Sequence, residues 1–188
     1  MIALNCLSSS TLEPALAESK PSHPSNSRTG AIASALKSMA AGKMSARALL
    51  EQAQVRAAKH VSLNPIAVVD WDQARSRADE LDAQRKRLSE AGAATPALLG
   101  VPLTIKDLFS VKSMPMRAGT RAPLPSFAGQ ESTLVTRLKQ AGALIFAKTN
   151  MHEIALGATG ENEWTGDVCN PFNPAHQSGG SSSGAGVC

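Results

Sequence analysis

The chain has 188 residues, 43% hydrophobic and 18% charged, with a formal charge of +4 at neutral pH. That is enough apolar material for one ordinary domain and excludes a disordered chain. The mild, mixed charge points to no nucleic-acid face, no apolar run approaches the ~18 residues of a membrane span, and no secretory signal is read, so the expected location is the cytoplasm.

Residues 1–28 are rich in Ser and Pro and read as a disordered leader. A helical period opens at Thr29, with Ile32, Leu36 and Met39 at i, i+4 and i+7, and Gly42 ends it. Ser45 is the expected N-cap of a helix over Ala46–Lys59, whose inner face carries Leu49, Leu50, Ala53 and Ala57. Ile66–Val69 is a short apolar run after Pro65 and reads as a buried strand. Asp72 is then expected to cap a helix with Ala74, Ala78, Leu81 and Leu88 inside and Arg85 breaking the stripe. Its other face, with Arg75, Arg77, Asp79, Glu80, Asp82, Lys86 and Arg87, reads as solvated rather than as a nucleic-acid patch.

Val101 to Ile105 is apolar enough for a second buried strand, and Lys106 stands at its C-terminal end. Sites in α/β proteins cluster at strand C-termini, and apolar neighbours give a lysine reason to lose its proton. The plainer alternative is that Lys106 snorkels to water or pairs with Asp107. Val111 to Gln130, with its prolines and glycines, is a long loop. Glu131 and Ser132 open a helix with Leu134, Leu138 and Ala141 inside, and Ala143 to Ala147 forms a third short strand. This alternation points to an α/β sheet with parallel neighbours.

Past that strand, Asn150 is the expected cap of a short helix burying Met151, Ile154 and Leu156. His152 and His176 lack a second base or metal ligand at suitable spacing and read as structural or exposed. Cys169 reads as a packing residue, and Cys6, Cys169 and Cys188 share no CxxC spacing, so neither a disulfide framework nor a zinc site is expected. Ser178 to Gly186 holds eight Gly or Ser in nine residues. A Gly-rich turn opening into a helix gathers backbone N–H groups and hydroxyls that suit an oxyanion, a phosphate or the partner of a serine nucleophile, and the alternative is a linker. A P-loop is excluded because Gly-Lys-Ser/Thr is absent.

Together these stretches resemble the amidase signature family. The segments that carry the resemblance are Gly100 to Phe109, Gly142 to Glu153, Ala158 to Asn162, Asn170 to Pro174 and Gly179 to Ala185, in the family's order. It covers roughly Thr29 to Cys188; Ser178 stands where the family often has proline. The resemblance implies an amidase signature α/β fold, with a mixed central sheet flanked by helices, of which residues 29–188 are the N-terminal portion. It implies amide hydrolysis by a Ser–Ser–Lys triad through an acyl-enzyme. Lys106 is then the base and Ser181 the bridging serine on a cis peptide bond, with Gly179, Gly180, Ser182 and Ser183 as supporting residues. The family's nucleophile lies in a later Gly-Thr-Asp-Thr-Gly-Gly-Ser type of motif, which also builds the oxyanion hole and which these residues do not contain. Ser182 and Ser183 match other family positions and are not its substitutes. The chain alone is therefore expected to be an inactive N-terminal part of an amidase. The implied partner is a small-molecule amide, with a homodimer left open, and no cofactor, metal, nucleic acid or membrane is expected. Two alternatives stay open: the glutaminase subunit of a tRNA-dependent amidotransferase, and a truncated, non-catalytic binding module.

Overall fold

The computed structural model describes residues 30–188, so the leader expected over residues 1–28 lies outside the described residues. Helix α1 spans Ala31–Ala40 and α2 spans Ala46–Lys59. Ser45 caps α2 through its Oγ, which accepts from the Ala48 N–H at 3.0 Å. A second cap comes from far along the chain: the Asp82 carboxylate accepts from the N–H groups of Ala46 and Arg47 at 2.7 and 3.1 Å. An anion at a helix N-terminus meets both free donors and the positive end of the dipole. Asp82 therefore has a partner that a solvated face would not give it.

Strand β1 is Ile66–Val69, and α3 runs Trp71–Glu90 directly after it. The cap of α3 is Asp70, not Asp72: Asp70 Oδ1 accepts from the N–H groups of Asp72 and Gln73 at 3.1 and 3.0 Å. Asp70 is still extended as the chain leaves β1, which is the backbone state a cap needs, whereas Asp72 is already helical and pairs with Arg75. Ala74, Ala78 and Leu81 are buried as expected and meet Ala46, Leu50 and Leu144 in one core cluster. Trp71 stacks on Phe146 at 5.5 Å. Arg85 interrupts the apolar stripe for a reason: its guanidinium donates to the Leu99 carbonyl.

Strand β2 is Pro102–Lys106, α4 is Thr133–Gln140 and β3 is Leu144–Thr149. The sheet order is β1-β3-β2. β2 and β3 are parallel, as expected for neighbours joined through a helix, and β1 runs antiparallel to β3, which makes the sheet mixed, as the resemblance implied. The β2–β3 register shifts once: Leu103 pairs with Ile145 and Thr104 with Ala147, leaving Phe146 as the extra residue. β3 continues two residues beyond the expected Ala147, and both added residues, Lys148 and Thr149, are fully buried.

Two further expectations are corrected. In α4 the buried residue is Val135, which packs with Ile105 and Val111, while Leu134 is 45% exposed. After β3, the segment Glu153–Ala155 is a single 3₁₀ turn; Met151 is buried but Ile154 and Leu156 are exposed. Asn150 does not cap it. Its side-chain amide instead donates to the Asn64 carbonyl and to Asn64 Oδ1, both at 2.9 Å, where Asn64 takes a left-handed conformation before β1. The final helix, α5, is Ser183–Val187 and packs on β2 and β3. Among the described residues no helix is long and apolar enough to cross a membrane.

Candidate active site

The C-terminal end of β2 delivers Lys106, and the turn into α5 delivers Ser181. Lys106 Nζ donates to Ser181 Oγ at 2.7 Å, joining residues 75 apart in the chain. Burial lowers the pKa of Lys106 from the ordinary lysine value of 10.5. Among the described residues no ion pair includes it, so no carboxylate opposes that shift. The alternative that Lys106 pairs with Asp107 is overturned, because Asp107 is taken by Lys148 at 2.5 Å.

The turn around Ser181 is fixed from several sides. The Gly180–Ser181 peptide is cis. Gly180 lies against Thr159 so closely that a Cβ would sit 1.9 Å from the Thr159 carbonyl oxygen, so no larger residue fits. The Ser181 carbonyl accepts from the His152 N–H at 3.1 Å. Downstream, the Gly184 N–H and Ser183 Oγ both donate to the Asn150 carbonyl, at 2.9 and 3.3 Å. A Cβ on Gly184 would meet the Pro65 carbonyl oxygen at 2.2 Å, which is why glycine allows α5 to press onto the sheet. Ser183 is thus buried and structural, Ser182 is exposed at the start of α5, and Gly179, with φ of +79°, makes the bend before Gly180.

The side chains of the remaining candidates take no part in the Lys106–Ser181 contact. His152 Nδ1 accepts from the Gly157 N–H at 3.0 Å and closes a turn, while His176 is exposed. Burial pushes the Cys188 thiol up, away from the thiolate form. A groove of about 610 Å³ beside α5 is lined by Leu63, Thr104, Phe146, Val187 and Cys188, and includes neither Lys106 nor Ser181. Among the described residues no cluster of His, Cys, Asp and Glu is placed to hold a metal ion.

Sequence reasoning missed the Asp107–Lys148 pair and the clamp at Asn162. Asn162 is buried, donates to the Gly119 and Met151 carbonyls at 2.8 and 2.9 Å, and accepts from the Trp164 and Thr165 N–H groups. It ties the long loop to the segments flanking Ser181. The available signal was that Lys148 and Asn162 are polar residues in stretches that the resemblance had already singled out.

The family model described as Amidase matches residues 48–188. The chain belongs to the amidase signature family. Similar members include an indoleacetamide hydrolase of Allorhizobium ampelinum, 35% identical over 156 residues, which cover 83% of this chain and 32% of the relative. A glutamyl-tRNA(Gln) amidotransferase subunit from Halorhodospira halophila is 38% identical over 146 residues, covering 77% of this chain and 29% of the relative. Among solved structures, one amidase superposes with a TM-score of 0.76 at 48% identity, over 83% of this chain and 35% of the other. The native peptide amidase of Stenotrophomonas maltophilia gives 0.73 at 30% identity, over 86% and 34%. This amidase signature chain thus spans about a third of the length of the curated relatives it matches.

Proposed function

We propose that these residues form the base side of an amide hydrolase, with Lys106 as the base and Ser181 as the bridging hydroxyl of a Ser–Ser–Lys relay. The observation that carries this reading is the 2.7 Å contact between Lys106 Nζ and Ser181 Oγ. The nucleophilic serine and the oxyanion hole would come from the remainder of the whole amidase, so residues 1–188 alone are expected to be inactive.

The chemistry follows from the contact. A neutral Lys106 amine takes the Ser181 hydroxyl proton, and Ser181 Oγ takes the proton of the nucleophilic serine as its oxygen attacks the amide carbonyl carbon. The tetrahedral oxyanion collapses, breaking the C–N bond. The proton returns from the Lys106 ammonium through Ser181 to the departing amine. The acyl ester that remains is cleaved by water, which yields the acid and the free serine. The relay needs Lys106 uncharged, and burial without a counter-ion favours that form.

Indoleacetamide is the first substrate to try, since a hydrolase of that name is 35% identical to this chain. In the whole protein, Ser181→Ala is expected to lower kcat about 10²–10⁴-fold, the range for loss of a proton-transfer group. A Ser181→Ala protein with near-parent amide hydrolysis would show the roles to be misassigned. The rate should fall as pH drops through the Lys106 pKa, which lies below 10.5. A second reading, as an amidotransferase's glutaminase subunit, is favoured by the 38% identity to the amidotransferase relative. It predicts hydrolysis of glutamine in preference to other primary amides.

A further inference from the structure

Lys148 and Asp107 form a buried ion pair that the relay does not use. Lys148 is 0% and Asp107 1% exposed, and Lys148 Nζ lies 2.5 Å from Asp107 Oδ1. Burying two charges is costly and seldom adds net stability over an apolar pair of the same volume, so its presence calls for another reason. Its position supplies one. Asp107 follows Lys106 directly, and Lys148 stands opposite Ile105 on β3, with Lys106 opposite Thr149. Successive side chains at a strand end point to opposite sides. Lys106 therefore reaches Ser181 while Asp107 reaches the other way to Lys148.

β2 ends at Lys106, and among the described strands only β3 holds it. Beyond Lys106 the ladder continues through one bond, from the Asp107 N–H to the Thr149 carbonyl at 3.1 Å, before the chain turns away. A strand end held on one side frays unless something anchors it. The anchor is an ammonium on the central strand. Lys148 also donates to the Pro115 carbonyl at 3.0 Å, and the Arg117 N–H reaches Asp107 Oδ1 at 3.5 Å, so the same two side chains gather the segment that leaves β2. The Lys106 side chain is long and flexible, and it is aimed only as well as its backbone is held.

We propose that Asp107 and Lys148 are a positioning pair that holds the end of β2 so that Lys106 stays on Ser181. The inference rests on the relay proposed above. A small displacement of a proton-transfer group, on the order of 1 Å, is enough to lower a rate about 10²-fold.

The test uses the whole protein and the primary amide it hydrolyses fastest among indoleacetamide, benzamide and butyramide, together with the p-nitrophenyl ester of the same acid. The variant is Asp107→Leu with Lys148→Met, which removes both charges and keeps the volume, so that neither is left buried alone. The expected result is a folded protein with kcat on the amide down about 10–100-fold and KM changed less than about twofold. The ester should lose less than the amide, because its leaving group departs with little need of the returned proton. A pair that only held the fold together would give a folded double variant with near-parent kcat, or equal losses on both substrates, and either result overturns the proposal. Asp107→Glu is measured beside it: the charge is kept but the arm is longer by one methylene. If the double variant does not fold, a kcat drop of about tenfold at unchanged KM in Asp107→Glu supports the pair, and near-parent kcat overturns it. Lys106→Ala separates the two readings. Full activity in Lys106→Ala means the relay itself is wrong, whereas an inactive Lys106→Ala beside a fully active double variant removes only the positioning role.

Discussion

Lys106 ends β2 and Lys148 stands next to the end of the neighbouring β3, and their surroundings are opposite. Lys148 is completely buried, with a carboxylate at 2.5 Å and a carbonyl at 3.0 Å. Lys106 is only partly buried, with a serine hydroxyl at 2.7 Å and no ion pair among the described residues. The more deeply buried lysine is the one whose charge is matched, and burial lowers the pKa of Lys106. Burial readies a lysine to act as a base where, as at Lys106, no carboxylate among the described residues matches its charge.

The comparison can be broken in several places. The largest effect belongs to Lys106→Met, expected to lower kcat of the whole protein about 10²–10⁴-fold without lowering its urea midpoint. A lysine whose folded pKa lies below its unfolded value opposes folding at every pH below that unfolded value, so replacing Lys106 removes an unfavourable term. Lys148→Met should do the reverse to stability. It leaves the Asp107 carboxylate buried without a partner, and urea unfolding at neutral pH should show a loss of about 3–5 kcal/mol. If Lys106→Met destabilised as much as Lys148→Met, the contrast between the two sites would be lost. Gly184→Ala places a methyl 2.2 Å from the Pro65 carbonyl oxygen and should lower stability by about 1–3 kcal/mol, seen as a drop in Tm. Arg77→Ala serves as the surface reference: its pair with Glu80 is half exposed and should contribute no more than about 0.5 kcal/mol in the same unfolding measurement.

Much of the architecture was legible in the residues. Ser45 and Lys59 bracket α2 as read, the three strands lie where short apolar runs placed them, and the family was identified from five segments. What failed was information that is not local. Asp70 and Asp72 are both good caps, and only the end of β1 decides between them. A four-residue strand carries no direction, so the resemblance implied a mixed sheet while the run itself did not mark β1 as its antiparallel member. Asp82 looks solvated until α2, more than 30 residues earlier, is set against it. The apolar run ended the expected strand at Ala147 and set Lys148 just past it; a carboxylate 41 positions earlier keeps Lys148 inside. In the candidate site, the composition of the Gly/Ser stretch allowed several uses, and it was its company with Lys106 that made one of them specific.

The single extra residue at Phe146 has a consequence for both lysines. Had β2 and β3 paired without it, Thr104 would face Phe146, Ile105 would face Ala147 and Lys106 would stand directly beside Lys148. In-register neighbours on parallel strands project to the same side, so two ammonium groups would compete for one space. The bulge changes the parity of β3 at that point. It turns Lys148 over to the side of Ile105 and Asp107 and leaves Thr149 as the neutral neighbour of Lys106. Whether the two lysines repel each other or work on separate sides is thus decided by whether Phe146 is counted into the ladder or left out of it, without altering any charged group.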